Sequence, residues 1–387
     1  MMPELRFPDF KDAWRDATAG DAFAHSKAKG ETGLPIWSVT LDRGMVSRDS
    51  LDRHMESDAA DETNLRAQPG DLVYNMMRMW QGAVGQVSEE CMVSPAYVVL
   101  SPRPGTCSRF FDYWFKAPHM LHRLKSFSHG LTKDRLRLYY ADFAKIPIPL
   151  PSEDEQRKIA DFMDTVSERI ALLNREKAAL EDYKKGLMQR LFSQELRFTR
   201  EDGSPFPDWD EKPLNVIAEI NPPCRSFPDS FQYIDLESVS GGRLHGAKLR
   251  SRSEAPSRAQ RVLSQGDVLF QLVRPYQRNN LWFRLEGDFV ASTGYAQLRA
   301  RQDPGFLYQV IQAEKFVDEV ISRCTGAVYP AITSKDLGQI RVPVPCKGEQ
   351  KRIADFLSSI DTKIDAVLDH ITHMETFKKG LIQKLFV

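Results

Sequence analysis

Long apolar runs are missing from this chain of 387 residues. No stretch approaches 18 residues without a charge, and the opening segment MMPELRFPDFKDAW holds no apolar core. A membrane-spanning helix and a secretory leader are both disfavoured on that ground, and a cytoplasmic protein is expected. Cysteine is scarce as well. Cys91, Cys107, Cys224, Cys324 and Cys346 are odd in number and never within four residues of one another, which suits neither a disulfide framework nor a zinc ribbon. Reduced thiols are expected. No Walker-type phosphate loop, Rossmann glycine fingerprint, nucleophile elbow or HExxH string occurs. Asn221-Pro222-Pro223-Cys224 approaches the Asn-Pro-Pro-aromatic motif of adenine methyltransferases. Cysteine, however, cannot stack on a flipped base, and no glycine-rich cofactor motif precedes it. His119 with His122 and His370 with His373 have helical spacing but no supporting ligands, so solvated helix surface is expected and no metal is assigned. The sequence points to no catalytic residue and to a protein that is not itself an enzyme.

What the chain does have is a repeat. Residues 155–192, EQRKIADFMDTVSERIALLNREKAALEDYKKGLMQRLF, and residues 349–386, EQKRIADFLSSIDTKIDAVLDHITHMETFKKGLIQKLF, align without a gap at a spacing of 194 residues. The chain is one design written twice, each time a globular head followed by a long helix. The division expected is heads over 1–150 and 194–345, with helices over 151–193 and 346–387. In the first helix Ile159, Met163, Val166, Ile170 and Leu173 step by alternating four and three. Ile353, Leu357, Ile360, Ile364 and Val367 do the same in the second. A seam of 3.5-residue period predicts a coiled coil rather than a helix lying on a globular core, and the natural partner of each helix is the other copy, antiparallel. At roughly 1.5 Å per residue each helix makes a rod of up to about 60 Å, with the heads expected at opposite ends. A stalk pairing two separate chains is the alternative.

Ser152 with Glu155 predicts a capping box at the first helix, whereas Cys346-Lys347-Gly348 makes a poorer cap at the second. Lys177, Lys184 and Lys378 interrupt the seam. Gly186 and Gly380 stand in the matching KKGL strings, and because a helical glycine costs about 1 kcal/mol relative to alanine, close packing or a helix break is expected there.

The heads read as α/β, in the mixed α+β sense, from short apolar runs punctuated by Gly and Pro. They share landmarks in order: Gly70-Asp71-Leu72-Val73 with Gly266-Asp267-Val268-Leu269, Val93-Ser94-Pro95-Ala96-Tyr97 with Ala291-Ser292-Thr293-Gly294-Tyr295, and Ile146-Pro147-Ile148-Pro149 with Ile340-Arg341-Val342-Pro343. Between landmarks they diverge, so one scaffold presents two surfaces. Lys and Arg balance Asp and Glu at 53 each, yet the charge is segregated. Residues 103–137 carry eight basic residues against two acids, and residues 241–284 carry nine against two. Arginine suits phosphate oxygens and guanine edges, and amides suit adenine. The candidate DNA contacts in the first head are Arg78, Trp80, Gln81, Lys133, Arg135 and Arg137. In the second they are Arg252, Arg258, Arg261, Arg274, Tyr276, Arg278 and Asn279.

These residues together resemble the specificity subunits of type I restriction-modification systems. The carriers of the resemblance are the proline-flanked approaches to the helices, IPIPLPSEDEQRKIADF and IRVPVPCKGEQKRIADF, and the helix ends KKGLMQRLF and KKGLIQKLF. MRMWQGAVG with VSPAY, and VRPYQRN with ASTGY, look like signatures of target-recognition domains. The resemblance implies two target-recognition domains, each reading one half of an asymmetric bipartite site in double-stranded DNA, with the paired helices setting the unread spacer. It also implies partners: two modification (methyltransferase) subunits and the restriction (ATP-dependent translocase and nuclease) subunits. S-adenosylmethionine, ATP and magnesium would then belong to those partners, and this chain would carry no cofactor of its own. Two other readings stay open at this stage. One is a coiled-coil interaction scaffold that touches no DNA, and the other is a methyltransferase in its own right.

Overall fold

The computed structural model describes residues 3–51, 61–132, 135–224 and 226–386. It divides into two units, Met1–Asn174 with Asp369–Val387, and Arg175–Leu368, so each unit takes part of both long helices. The long helices span Glu153–Phe192 and Lys347–Leu385.

In the first unit, one four-stranded sheet runs Phe23–Ser26, Tyr97–Pro102, Leu72–Asn75, Val84–Gln86, with every neighbouring pair antiparallel. A second runs Gly44–Ser47, Ile36–Thr40, Cys91–Val93, Leu65–Ala67, and its central pair is parallel. A ribbon joins Arg15–Thr18 to Pro147–Leu150. Helices Ser108–Trp114 and Pro118–Ser126 cover the first sheet and contribute Phe110, Phe111, Trp114, Met120 and Leu124 to the core.

The second unit repeats this strand by strand. Its first sheet is Ala218–Ile220, Tyr295–Ala300, Val268–Gln271, Leu281–Trp282, all antiparallel. Its second is Lys248–Ser251, Ser230–Ile234, Phe289–Ser292, Ala259–Val262, again with the central pair parallel. Asp210–Pro213 pairs with Arg341–Val344, and a short hairpin, Val239–Ser240 with Arg243–Leu244, has no counterpart in the first unit among the described residues.

The shared landmarks have local causes. Gly70 and Gly266 take φ of 95° and 93°, which glycine adopts freely. The aspartate that follows each glycine accepts a backbone N–H three residues back, Gln68 to Asp71 at 2.9 Å and Ser264 to Asp267 at 2.7 Å. Each Gly-Asp pair thus closes the turn that launches a buried strand. The isoleucine-proline strings are the ribbon strands that lead into the long helices.

Within each unit the two helices run antiparallel. In the first unit Ile159, Met163 and Val166, from the beginning of one helix, share a buried cluster with Leu381, Leu385 and Phe386 at the end of the other. In the second, Leu187, Met188 and Leu191 cluster with Ile353, Leu357 and Ile360. Leu173 is buried, while Ile170, Ile364 and Val367 are half-buried. One expectation is overturned: the seam also lies on a globular core. Ile159 and Met163 belong to the cluster of Phe110 and Trp114, and Ile353 and Leu357 belong to that of Phe306 and Leu337. The apolar stripe serves two partners because the buried face of a helix spans well over 100° of its circumference.

Two further corrections concern the helix ends. Ser152 accepts the Glu155 N–H at 3.3 Å, but the Glu155 carboxylate does not return to close a capping box. Arg6 takes it, at 2.7 and 2.8 Å. Gly186 and Gly380 mark neither a break nor close packing, since both helices run through them and a Cβ at either position would meet nothing within 4 Å.

Candidate nucleic-acid interface

In each head three loops meet at one end of the first sheet, drawn together by backbone hydrogen bonds. In the first head, Met76 N donates to Ala96 O at 3.4 Å and Leu138 N to Met76 O at 2.9 Å, while a bridge between His129 and Arg137 closes the third loop. In the second, Leu272 N donates to Gly294 O at 2.9 Å, Ile332 N to Leu272 O at 3.1 Å and Arg274 N to Pro330 O at 2.8 Å. Thr325 bridges Ala331, and Thr293 N reaches Arg258 O at 2.8 Å. Backbone contacts of this kind fix loop positions while leaving side chains free to differ.

The third loop needs glycine in both heads. A Cβ on Gly130 would stand 2.3 Å from Arg135 O. On Gly326, where φ is +97°, it would stand 3.0 Å from Tyr329 O.

The cluster gathers most of the sequence-predicted contacts but not all. In the first head Arg78 and Gln81 are exposed on the loop after Leu72–Asn75, and Arg135 and Arg137 are exposed on the third loop. Lys133 lies outside the described residues. Trp80 turns back onto the protein, its Nε1 donating to Met77 O at 3.0 Å beneath Lys125, whose Nζ stands 5.2 Å from the ring. In the second head Arg274, Tyr276, Arg278 and Asn279 share one loop, with Arg258 adjacent. Arg278 is neutralised by Glu314, and this contact, chiefly the hydrogen bond, holds the Glu314 carboxyl below the usual carboxylate range. Asn279 is half-buried and its side-chain oxygen receives Gly241 N at 3.4 Å.

Two arginines stand apart. Arg252 lies beside Asp229, at the start of Ser230–Ile234, with its guanidinium 5.7 Å from the Phe227 ring. Because Ser230–Ile234 runs parallel to Phe289–Ser292, that is the opposite end of the sheet from Thr293. Arg261 sits within the edge strand Ala259–Val262, half-buried, with Nε unpartnered and burial drawing its pKa down.

Buried amides shape the second head's loop. Gln271 donates through Nε2 to Val273 O at 2.8 Å and Gln277 Oε1 at 2.9 Å, and accepts from Asn279 N at 3.1 Å. The side-chain oxygen of Asn280 accepts Gln271 N at 2.9 Å. Neither amide can also serve a ligand. Asn221 of the methyltransferase-like string is likewise structural. Its side chain accepts Gln297 N at 3.0 Å and donates to Ser334 Oγ at 2.9 Å.

Sequence reasoning missed the apolar tips. Leu131 is fully exposed, Val328 is 75% exposed and Tyr329 62%, and Met77 and Tyr139 are exposed beside the first loop cluster. The available signal was an aliphatic-aromatic pair enclosed between Gly326 and Pro330, a place where a folded core has no use for them. Among the described residues no group of three or more His, Cys, Asp or Glu could hold a metal ion, and no helix is long and apolar enough to cross a membrane.

Comparison with known proteins agrees with this architecture. The type I restriction enzyme MjaVIII specificity subunit of Methanocaldococcus jannaschii is 25% identical over 262 residues, covering 63% of this chain and 62% of the relative. The putative MjaX specificity subunit of the same organism is 26% identical over 62% of this chain and 58% of its own length. The chain thus spans about three fifths of these curated relatives. A crystal structure of a type I restriction-modification system S subunit from M. genitalium superposes with a TM-score of 0.63 at 16% identity, covering 100% of this chain and 99% of that one. The family described as the type I restriction modification DNA specificity domain matches residues 17–182 and 279–371. That match takes in the first head with most of its helix and the later half of the second head with much of its own, and the chain belongs to the type I restriction modification DNA specificity domain family.

Proposed function

We propose that this chain is the specificity subunit of a type I restriction-modification complex. Each head reads one half of an asymmetric, bipartite site in duplex DNA, and the subunit scaffolds two methyltransferase subunits and the restriction subunits. The observation that carries this reading is the pair of loop clusters. They hang on the same strands and the same backbone ladder, yet one presents Arg78, Arg135, Arg137 and Leu131 where the other presents Arg258, Arg274, Tyr276 and Tyr329. A constant frame with variable cationic and aromatic tips is what reading two different base sequences requires. The chain itself carries out no chemistry on this reading. S-adenosylmethionine, ATP and magnesium are held by the partners, the complex works in the cytoplasm, and partner surfaces complete the DNA clamp that a chain of zero net charge leaves unfinished.

The test is methylome sequencing of host DNA with and without this gene. The expected result is one bipartite adenine-methylated motif that vanishes with the gene, and a methylome that does not change overturns the reading. Binding of the assembled complex to duplex DNA should weaken steeply with salt, because phosphate contacts release counterions.

A further inference from the structure

We propose that Arg274, held over the ring of Tyr329, is a base-reading side chain of the second head and that it reads a guanine through its major-groove edge. The inference rests on the DNA-binding reading above and adds the residue pair and the base.

Arg274 combines four features that no other cation of its head shows together among the described residues, although Arg258, Arg261 and Arg284 also lack an ion pair, Arg284 also lies over a ring and Arg261 also has a buried, unpartnered Nε. First, it carries no carboxylate. Arg278 is paired with Glu314, Arg299 with Asp267 and Arg243 with Asp365, and Arg252 lies 3.9 Å from Asp229, whereas Arg274 makes no ion pair among the described residues. Second, its guanidinium carbon stands 4.4 Å from the centroid of the Tyr329 ring, in a loop tip where Tyr329 and Val328 remain largely exposed. An arginine placed against an aromatic face loses less freedom on binding than a free one, and its planar fork matches a pair of acceptors. Third, its Nε is buried without a partner, so the two Nη nitrogens are what it can offer, an end-on fork suited to guanine O6 and N7.

Fourth, the backbone is strained to hold it. Arg274 has φ of 53° and ψ of 54°, a left-handed conformation that side chains other than glycine seldom take, and Pro275 after it turns it away from the right-handed helix. Arg78, the corresponding residue of the first head, has φ of −132° and is not left-handed. Arg278 is left-handed as well, at φ of 54°, where the first head has Gly82 at 92°. Strain of this kind gathers where a side chain must be aimed. Phosphate contact asks for no such aim, and it does not account for an exposed valine and tyrosine beside the arginine.

The experiment uses the full chain in its native complex and the motif found by methylome sequencing. Each guanine of the two half-sites is replaced in turn by 7-deazaguanine, which lacks the N7 acceptor, and duplex binding is compared. One guanine in one half-site is expected to matter, by about 5- to 150-fold. Arg274→Ala should bind the substituted and unsubstituted duplexes alike, and its methylome should relax to any base at that position only. Tyr329→Phe should keep the wild-type motif, and Tyr329→Ala should relax the same position. Should Arg274→Ala abolish binding, the wild-type series still decides: indifference to 7-deazaguanine at every position overturns the proposal, as does a half-site unchanged by Arg274→Ala. A wild-type chain that yields no bipartite motif defeats the underlying reading instead, and is recognised by that result alone.

Discussion

The two units share both four-stranded sheets and the ribbon, and they differ in how they treat the same buried polar positions. In the second, Asp267 is 1% exposed and accepts Arg299 through Nε and Nη2, both at 2.8 Å, and Gln297 Nε2 at 2.7 Å. In the first, Asp71 is 5% exposed and has no cation among the described residues. Burial raises its pKa, and hydrogen bonds from Gln68 N and Ser101 offset only part of the rise. The helix lysines differ in the same sense. Lys184 meets Asp361 at 2.6 Å, and Gln309 holds the other oxygen of that carboxylate at 2.8 Å. Its counterpart Lys378 lies 5.4 Å from the centroid of the Tyr113 ring. The position of Asp361 is occupied there by Ser167, and the nearby Asp164 is engaged by Arg109 and the Tyr113 hydroxyl. A repeated backbone leaves such sites in place, and each copy has solved the desolvation of its polar groups separately.

The largest effect expected tests a buried ion pair that both units share. Glu155 receives Arg6, and Glu349 receives Arg197 at 2.9 Å together with Trp209 Nε1 at 2.8 Å. Trp14, the counterpart of Trp209, has its Nε1 buried without a partner. Stranding a buried carboxylate costs about 3 to 5 kcal/mol. Arg6→Ala should therefore destabilise its unit by about that much, and Arg197→Ala its own unit by about 1 kcal/mol less, the retained tryptophan bond making the difference. Hydrogen exchange resolved by unit measures both, and equal losses would show that the tryptophan contributes nothing.

Next comes the aspartate pair. Asp267→Asn should cost about 2 kcal/mol by weakening a charge-assisted pair to Arg299. Asp71→Asn should cost nothing at neutral pH or raise stability. The sign follows from the raised pKa: the protonated carboxyl is favoured in the fold, so Asp71 lowers stability once pH rises through its folded pKa. The advantage of the asparagine variant should vanish below about pH 3.8, where folded and unfolded carboxyls are both protonated. A gain that persists in acid would refute the assignment.

The smallest effect is at the lysines. Burial, aided by Lys116, lowers the pKa of Lys378, so its charge opposes folding below that pKa. Lys378→Met should stabilise by about 1 kcal/mol at pH 7, with the gain fading toward pH 10.5, whereas Lys184→Met should destabilise by a similar amount because Asp361 loses its partner. Chemical denaturation across pH distinguishes the two.

Much of this fold is legible in the residues. The exact 194-residue spacing locates two heads and two helices, the 3.5-residue seam names Ile159, Met163, Leu357 and Ile360 as buried, and the Gly-Asp pairs mark the turns before the central strands. The loop cluster was half legible. Arg78 and Arg274 declare themselves by composition, but Tyr329 does not, because its meaning depends on a backbone bond between Arg274 and Pro330 across a separation of 56 residues.

Taken alone, the sequence determined the duplication, the helical seam and the lack of familiar catalytic motifs, since periodicity and spacing act along the chain. Only the tertiary structure decided which charges are free. Arg274 and Arg278 stand four residues apart in the same loop, with similar left-handed backbones. One meets Glu314 and the other a tyrosine ring. Which arginine can still offer its charge to a ligand is set by side chains distant in sequence, because desolvation and pairing are properties of neighbours in space.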